Sequence, residues 1–185
     1  QLNNTMYYRL IEHPITDIKD IMIILNREKY RRTISLKLYK HLMPPNQYSF
    51  RKFYTLPKIH KEKNKWFNSN TPNGRPIVSD IGSMTYNISQ YIEFKLNSLI
   101  KHLPYVIRDS KDFIEKIQNI NITNKLLVTA DVESLYTNML NDRCISTIVY
   151  YLHKHNSFDR QNILIIDLLR QSLQTNDFTF NEKYY

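Results

Sequence analysis

The sequence predicts an α/β (α+β) chain, mostly helical with a few short strands. Apolar residues recur at three- and four-residue spacing over long stretches, the period of an amphipathic helix. Aromatic and β-branched residues gather in only a few short runs, as strands require. The chain has two glycines, Gly74 and Gly82, so backbone that needs unusual dihedrals is concentrated in one place.

Taken in order, Thr16 is placed to cap a helix from 17 to about 29, with Ile18, Ile21, Met22 and Leu25 as its apolar stripe. A second helical stretch, around 33 to 42, stops before Pro44 and Pro45. FRKFYTLP, residues 50 to 57, alternates aromatic and basic side chains and reads as a strand ended by Pro57. A polar loop from 62 to 73 leads into RPIVS, a second short strand. Helices are expected at 86 to 102, on Ile88, Ile92, Leu96, Leu99 and Leu103, and at 110 to 120, capped by Ser110. LLVTADV, 126 to 132, has the composition of a buried strand and is the strongest strand signal in the chain. Two more helices, 142 to 155 and 159 to 175, carry stripes of Ile145, Ile148, Val149 and Leu152 and of Leu164, Leu168 and Leu169. FTFNEKYY at the end reads as a hairpin turning at Asn181 and Glu182.

With 185 residues and 42% hydrophobic content, one core is expected, within the roughly 100 to 200 residues of a typical domain. The apolar runs, such as 21 to 25 and 163 to 166, are too short to cross a bilayer. No secretory signal opens the chain and its one cysteine, Cys144, makes no internal disulfide. An intracellular protein, nuclear or cytoplasmic and not secreted, is therefore expected. Cys144 reads as a small core residue.

Basic residues exceed acidic ones, 26 to 17, for a net charge of +9. The excess is local. Residues 51 to 76 hold Arg51, Lys52, Lys58, Lys61, Lys63, Lys65 and Arg75 against one acid, Glu62, and so carry +6 of that charge. Phe50, Phe53, Tyr54, Trp66 and Phe67 are interleaved with them. Cations that hold phosphates, with rings on which bases rest, form a nucleic-acid-binding mixture. A solvated basic loop is the alternative. The two glycines adjoin this cluster; they either make turns only, or Gly74 lets Arg75 project from the start of a strand onto a phosphate, a task suited to a permanently charged guanidinium. From the residues alone Asp131 reads equally as a turn or helix cap and as a functional acid. The six histidines show no metal-ligand spacing, and His153 and His155 read as surface residues.

Four blocks carry a family resemblance: FYTLPKIHK (53 to 61), GRPIVSDIGSMTYNIS (74 to 89), LLVTADVESLYTN (126 to 138) and FTFNEKYY (178 to 185). In order and spacing they resemble the reverse transcriptases of Penelope-like retroelements, relatives of telomerase, from about residue 50 to the end. The resemblance implies a partial right-hand polymerase fold. Its parts would be a helical N-terminal region at 1 to 49, fingers at 50 to 122 and the first half of a palm at 123 to 185.

On the same resemblance, Arg75 and one or more of Lys58 and Lys61 would hold the triphosphate of an incoming deoxynucleotide, and His60 lies inside the same block. Arg51, Lys52, Lys63 and Lys65 would bind nucleic acid, an RNA or DNA template with its primer. Asp131 would be the catalytic acid and a Mg²⁺ ligand through its carboxylate, Val132 a ligand through its backbone oxygen, and Tyr136 the residue under the sugar. Two metal ions held by carboxylates clamp the attacking and leaving oxygens in such enzymes. The later aromatic-x-Asp-Asp turn of the family is missing, and Glu133 is a weak substitute because the family pattern turns into a loop there. The chain, which opens on Gln1, is thus read as a piece of a longer RNA-directed DNA polymerase that does not polymerise by itself. A non-catalytic nucleic-acid-binding module that keeps the basic fingers is the other reading. Met84, Met139, Leu140 and Glu182 depart from the family pattern at turn positions.

Overall fold

The computed structural model describes residues 17–68, 70–101, 103–121, 123–132, 135–155 and 159–185, and these are α+β, with helices and one four-stranded mixed sheet. Thr16, Glu133 and the side chain of His155 lie outside the described residues. The chain divides into two compact units: one joins the described residues up to Ile92 with Arg160–Tyr185, and the other is Glu93–Asp159. No helix among the described residues is long and apolar enough to cross a membrane.

In the first unit, α1 (Asp17–Tyr30) packs on α2 (Leu36–Leu42) and on α7 (Arg160–Gln174). Ile21 and Leu25 are fully buried and Ile24 nearly so, while Met22 is 37% exposed. The stripe therefore continues through Ile24 rather than Met22. Glu28 lies on the same stripe and is buried with Arg27 Nε 2.7 Å and Arg31 3.2 Å from its carboxylate. Burial pushes this carboxyl up, but the hydrogen bond from Arg27 and its charged neighbours outweigh that and hold it below the ordinary range. Arg27 also reaches Asp167 of α7 at 2.6 Å, tying the two helices together. Helix α1 ends with Arg32 left-handed (φ 57°), its N–H on Lys29 O and that of Thr33 on Glu28 O. This is a Schellman stop made without glycine. Helix α2 starts later than the apolar spacing suggests, because the Ser35 hydroxyl accepts from the Leu38 N–H and caps it there.

Strand β1 (Lys52–Pro57) is the centre of the sheet, whose order is β2-β1-β3-β4. It pairs antiparallel with β2 (Gly74–Ser79), from Lys52↔Ser79 to Pro57↔Gly74, and parallel with β3 (Thr179–Phe180) at Lys52↔Thr179. Strand β4 (Lys183–Tyr184) closes the terminal hairpin, which turns at Asn181 and Glu182. Both turn residues have positive φ, 48° and 59°, the geometry of a type I′ turn, which favours Asn-Gly. Glutamate is costly in the second position because its Cβ crowds the following carbonyl. Glu182→Gly is expected to stabilise the protein by about 1 kcal/mol, read as a higher denaturant midpoint. An unchanged midpoint would show that the turn relieves the strain elsewhere.

The second unit contains the later part of α3 (Tyr86–Ile100), α4 (Ser110–Ile117), α5 (Leu135–Asn138) and α6 (Asn141–His155). Ile145 and Leu152 of α6 are buried, Cys144 is half-buried and His153 is exposed. The cap of α4 is Asp109, not Ser110: its carboxylate accepts from the Asp112 N–H at 2.8 Å. Asp112 accepts in turn from the Arg108 N–H at 2.9 Å and from Lys116 Nζ at 3.0 Å, and Lys116 also donates to Val106 O. The Arg108 N–H first, then Lys116, hold the Asp112 carboxyl down to about 2. A depressed carboxyl contributes stability above its unfolded value of 3.8, and loses it as pH falls towards about 2. Protection of the amides at the start of α4, taken relative to their intrinsic exchange rates, is therefore expected to fall over that interval, and in Asp112→Asn to be low throughout.

The strand expected at 126–132 does not form. These residues are irregular, with Leu126, Leu127 and Val128 at 88%, 79% and 76% exposure. An apolar run becomes a strand only where its backbone N–H and C=O groups meet a ladder. Among the described residues no strand pairs with this segment.

Candidate nucleic-acid interface

The two-residue period of β1 sorts its side chains, since neighbours point to opposite faces and cross-strand partners share one. Phe53, paired with Val78, faces inward and stacks on Phe178 at 5.4 Å. The opposite face carries Lys52, Tyr54 and Leu56, paired with Ser79, Ile77 and Arg75. Lys52, Tyr54, Leu56 and Arg75 are exposed on it. Arg75, the second residue of β2, thus presents its guanidinium on the face that carries Leu56 opposite it, then Tyr54, and Lys52 at the far end of the ladder.

Gly74 is the first residue of β2 rather than a turn residue. A Cβ there would lie 3.0 Å from the Thr55 Cβ, so the glycine serves close strand approach. The turn role belongs to Gly82, at φ 75°, where a Cβ would come 2.9 Å from the Ser49 Oγ. Its carbonyl accepts from the Ser49 N–H at 2.9 Å and fixes the loop after β2 to the entry of β1.

From the ends of β1 and β2 the chain continues as a loop, 58–73, that closes on itself. The Lys58 N–H donates to Asn73 O at 2.8 Å, the Asn73 side chain to Lys65 O at 3.1 Å, and the Trp66 indole N–H to Lys61 O at 2.8 Å. A short 3₁₀ turn, Lys63–Lys65, sits between them. Lys61, Lys63 and Lys65 are exposed, as is His60, and Lys58 is half-buried. Lys63 Nζ lies 5.9 Å from the Trp66 ring centre, and Lys65 is 3.7 Å from Glu62 across an exposed pair. Such a pair is worth little in water, so Lys65 remains able to meet a phosphate.

Arg51 is a correction to the sequence reading. It is 7% exposed and, two residues before Phe53, faces inward. Its guanidinium donates to Asp80 at 2.6 Å, to Asp177 at 3.0 Å and to the Thr85 hydroxyl. Ser83 Oγ adds a bond to Asp80 at 2.5 Å, and Thr85 Oγ1 another at 3.2 Å. The charge is consumed in a buried network that joins the segments before β1, after β2 and before β3. It is not available to a nucleic acid. The sequence places Asp80 and Thr85 inside one quoted block and Asp177 just ahead of another, but nothing in their spacing marks them as partners of Arg51.

Asp131, Val132 and Tyr136 belong to the other unit. Asp131 is exposed on the irregular segment, Val132 is 61% exposed, and Tyr136 is 90% exposed on α5. Among the described residues no three His, Cys, Asp or Glu side chains gather so as to hold a metal ion. Asp131 supplies one carboxylate, which by itself does not fit a two-ion Mg²⁺ site. No family model, curated protein or solved structure matches the chain.

Proposed function

We propose that this chain is the template- and nucleotide-handling part of an RNA-directed DNA polymerase similar to those of Penelope-like retroelements. One observation carries the reading: blocks 53–61 and 74–89 pair as one hairpin whose exposed face and loop present Lys52, Lys58, Lys61, Lys63, Lys65 and Arg75. Block 178–185 joins the same sheet through Lys52↔Thr179. Three of the four blocks that carry the polymerase resemblance thus share one sheet, and the first two of them supply its cationic hairpin and loop. The partners on this reading are a primed RNA or DNA template and deoxynucleoside triphosphates, with Arg75, Lys58 and Lys61 on the triphosphate.

Asp131 and the Val132 carbonyl are what this chain would contribute to a Mg²⁺ site, and Tyr136 a contact to the sugar. Divalent ions held there, with carboxylates from the rest of a complete palm, would supply stabilisation of the charge on the attacking and leaving oxygens. In the complete polymerase, Asp131→Ala is expected to abolish primer extension and leave template binding intact. Extension at the parental rate would remove Asp131 from the site. Tyr136→Ala is expected to admit ribonucleotides, read as extension with ribonucleoside triphosphates alone.

The cationic hairpin and loop belong to one compact unit and Asp131 to another, which favours a second reading, a non-catalytic module that binds nucleic acid through the same surface. Extension assays separate the two, because both bind and only the first extends a primer.

A further inference from the structure

The aromatic residues of the basic stretch have separate fates. Phe50 packs edge-on against Tyr184 at 5.1 Å, and Phe53 stacks on Phe178. Trp66 is half-buried and pinned by its indole N–H. Tyr54 is 45% exposed within the sheet face, whereas Phe67 is 82% exposed. Phe67 also stands in the part of the chain that is richest in lysine, one residue after the pinned indole.

The loop that presents it is ordered by its own contacts. Besides the bonds at its neck, Lys65 N–H donates to Glu62 O at 2.9 Å, Trp66 N–H to Lys63 O at 3.2 Å, and Asn70 N–H to the Asn68 side chain at 3.0 Å. A basic loop that served only solubility would need no such closure. Ordering the loop before it meets a ligand removes part of the entropic cost of binding. What it holds ready is an exposed apolar ring of large area in the same loop as exposed Lys61, Lys63 and Lys65, and that combination suits a nucleobase and its flanking phosphates. Bases within a duplex have both faces covered, so a ring of this kind needs an unpaired base.

We propose that Phe67 is a base-stacking residue and that loop 58–73 binds single-stranded nucleic acid, the base resting on Phe67 and the phosphates on Lys61, Lys63 and Lys65. This rests on the nucleic-acid reading above and adds to it the strand state and the contact. Stacking is tolerant of sequence, because every base offers a π-face.

The test compares two labelled strands of equal length and charge, oligothymidine and an abasic strand, bound to the full chain at low salt. Trp66, the one tryptophan, gives a second readout by fluorescence quenching beside the site. The parent is expected to bind oligothymidine more tightly than the abasic strand. Phe67→Ala should weaken oligothymidine by roughly 5- to 100-fold, change abasic binding little, and abolish the quenching. Phe67→Tyr should keep all three properties. Unchanged oligothymidine affinity in Phe67→Ala, or an equal loss on both strands, would overturn stacking and leave nucleic-acid binding in place. A parent that binds neither strand would overturn the nucleic-acid reading itself.

Discussion

Arg51→Met is expected to lower the stability of the protein by about 3 to 5 kcal/mol, the usual cost of removing one partner from a buried ion pair. Methionine keeps much of the apolar stem, so the loss reports the charge rather than a cavity. What remains is Asp177 with its side chain 9% exposed, Asp80 at 30%, and the buried Thr85 hydroxyl without its donor. Asp177 bears the larger penalty because water reaches it less. Arg51→Lys should recover only part, since one ammonium does not span the three acceptors that a guanidinium fork meets together. In the Arg51→Met background, Asp177→Asn should cost less than it does alone, because the partner it served is gone. The measurement is equilibrium unfolding in urea. A change below about 1 kcal/mol, the range of exposed pairs, would mean that the network is solvated and that Arg51 is free to act at the surface.

That network marks where reading the sequence stops being enough. Charge density placed Arg51 and Lys52 in one binding cluster, yet the strand period sends them to opposite faces, and only Lys52 reaches solvent. The alternation in FRKFYTLP was visible; which face would be covered was not, since that depends on Phe178 and Phe180 from the far end of the chain. Helices were legible wherever the stripe was long, as in α3, α6 and α7, because helical periodicity is local. The hairpin turn at Asn181 and Glu182 was legible for the same reason. Residues 126–132 fail for the opposite reason. Their composition suits a strand, but pairing is a property of a neighbour, and no described strand supplies one. Capping is decided between adjacent residues by backbone geometry, which is how Asp109 displaced Ser110. Of the nucleotide and metal candidates, Arg75, Lys58 and Lys61 come together in one hairpin and its loop, while Asp131, Val132 and Tyr136 lie in another unit.

Replacing Lys58, Lys61, Lys63 and Lys65 together by glutamine is expected to change binding far more than stability. Three of the four are exposed and the fourth is half-buried, and the ion pair they make among the described residues, Lys65 with Glu62, is itself exposed. The unfolding midpoint should therefore move little, since exposed substitutions of this kind stay within about 0.5 kcal/mol each. Binding answers to a different term. Each lysine that neutralises a phosphate releases condensed counterions, and log affinity falls with log salt by about 0.7 per contact on a single strand and about 0.9 on duplex DNA. Of the four, Lys61, Lys63 and Lys65 are the strand contacts, so the single-strand slope should flatten by about 2, and roughly 20-fold of the parent's loss between 50 and 200 mM salt disappears. Arg75→Gln, on the sheet face, should flatten it by about one further contact. Lys→Arg at the same four positions should keep the slope, which excludes a loop merely disturbed by replacement. If the glutamine variant retained the parental slope, the phosphates would have to lie elsewhere on the chain. The +6 stretch would then be a solvated surface, and the polymerase resemblance would stand on motif order alone.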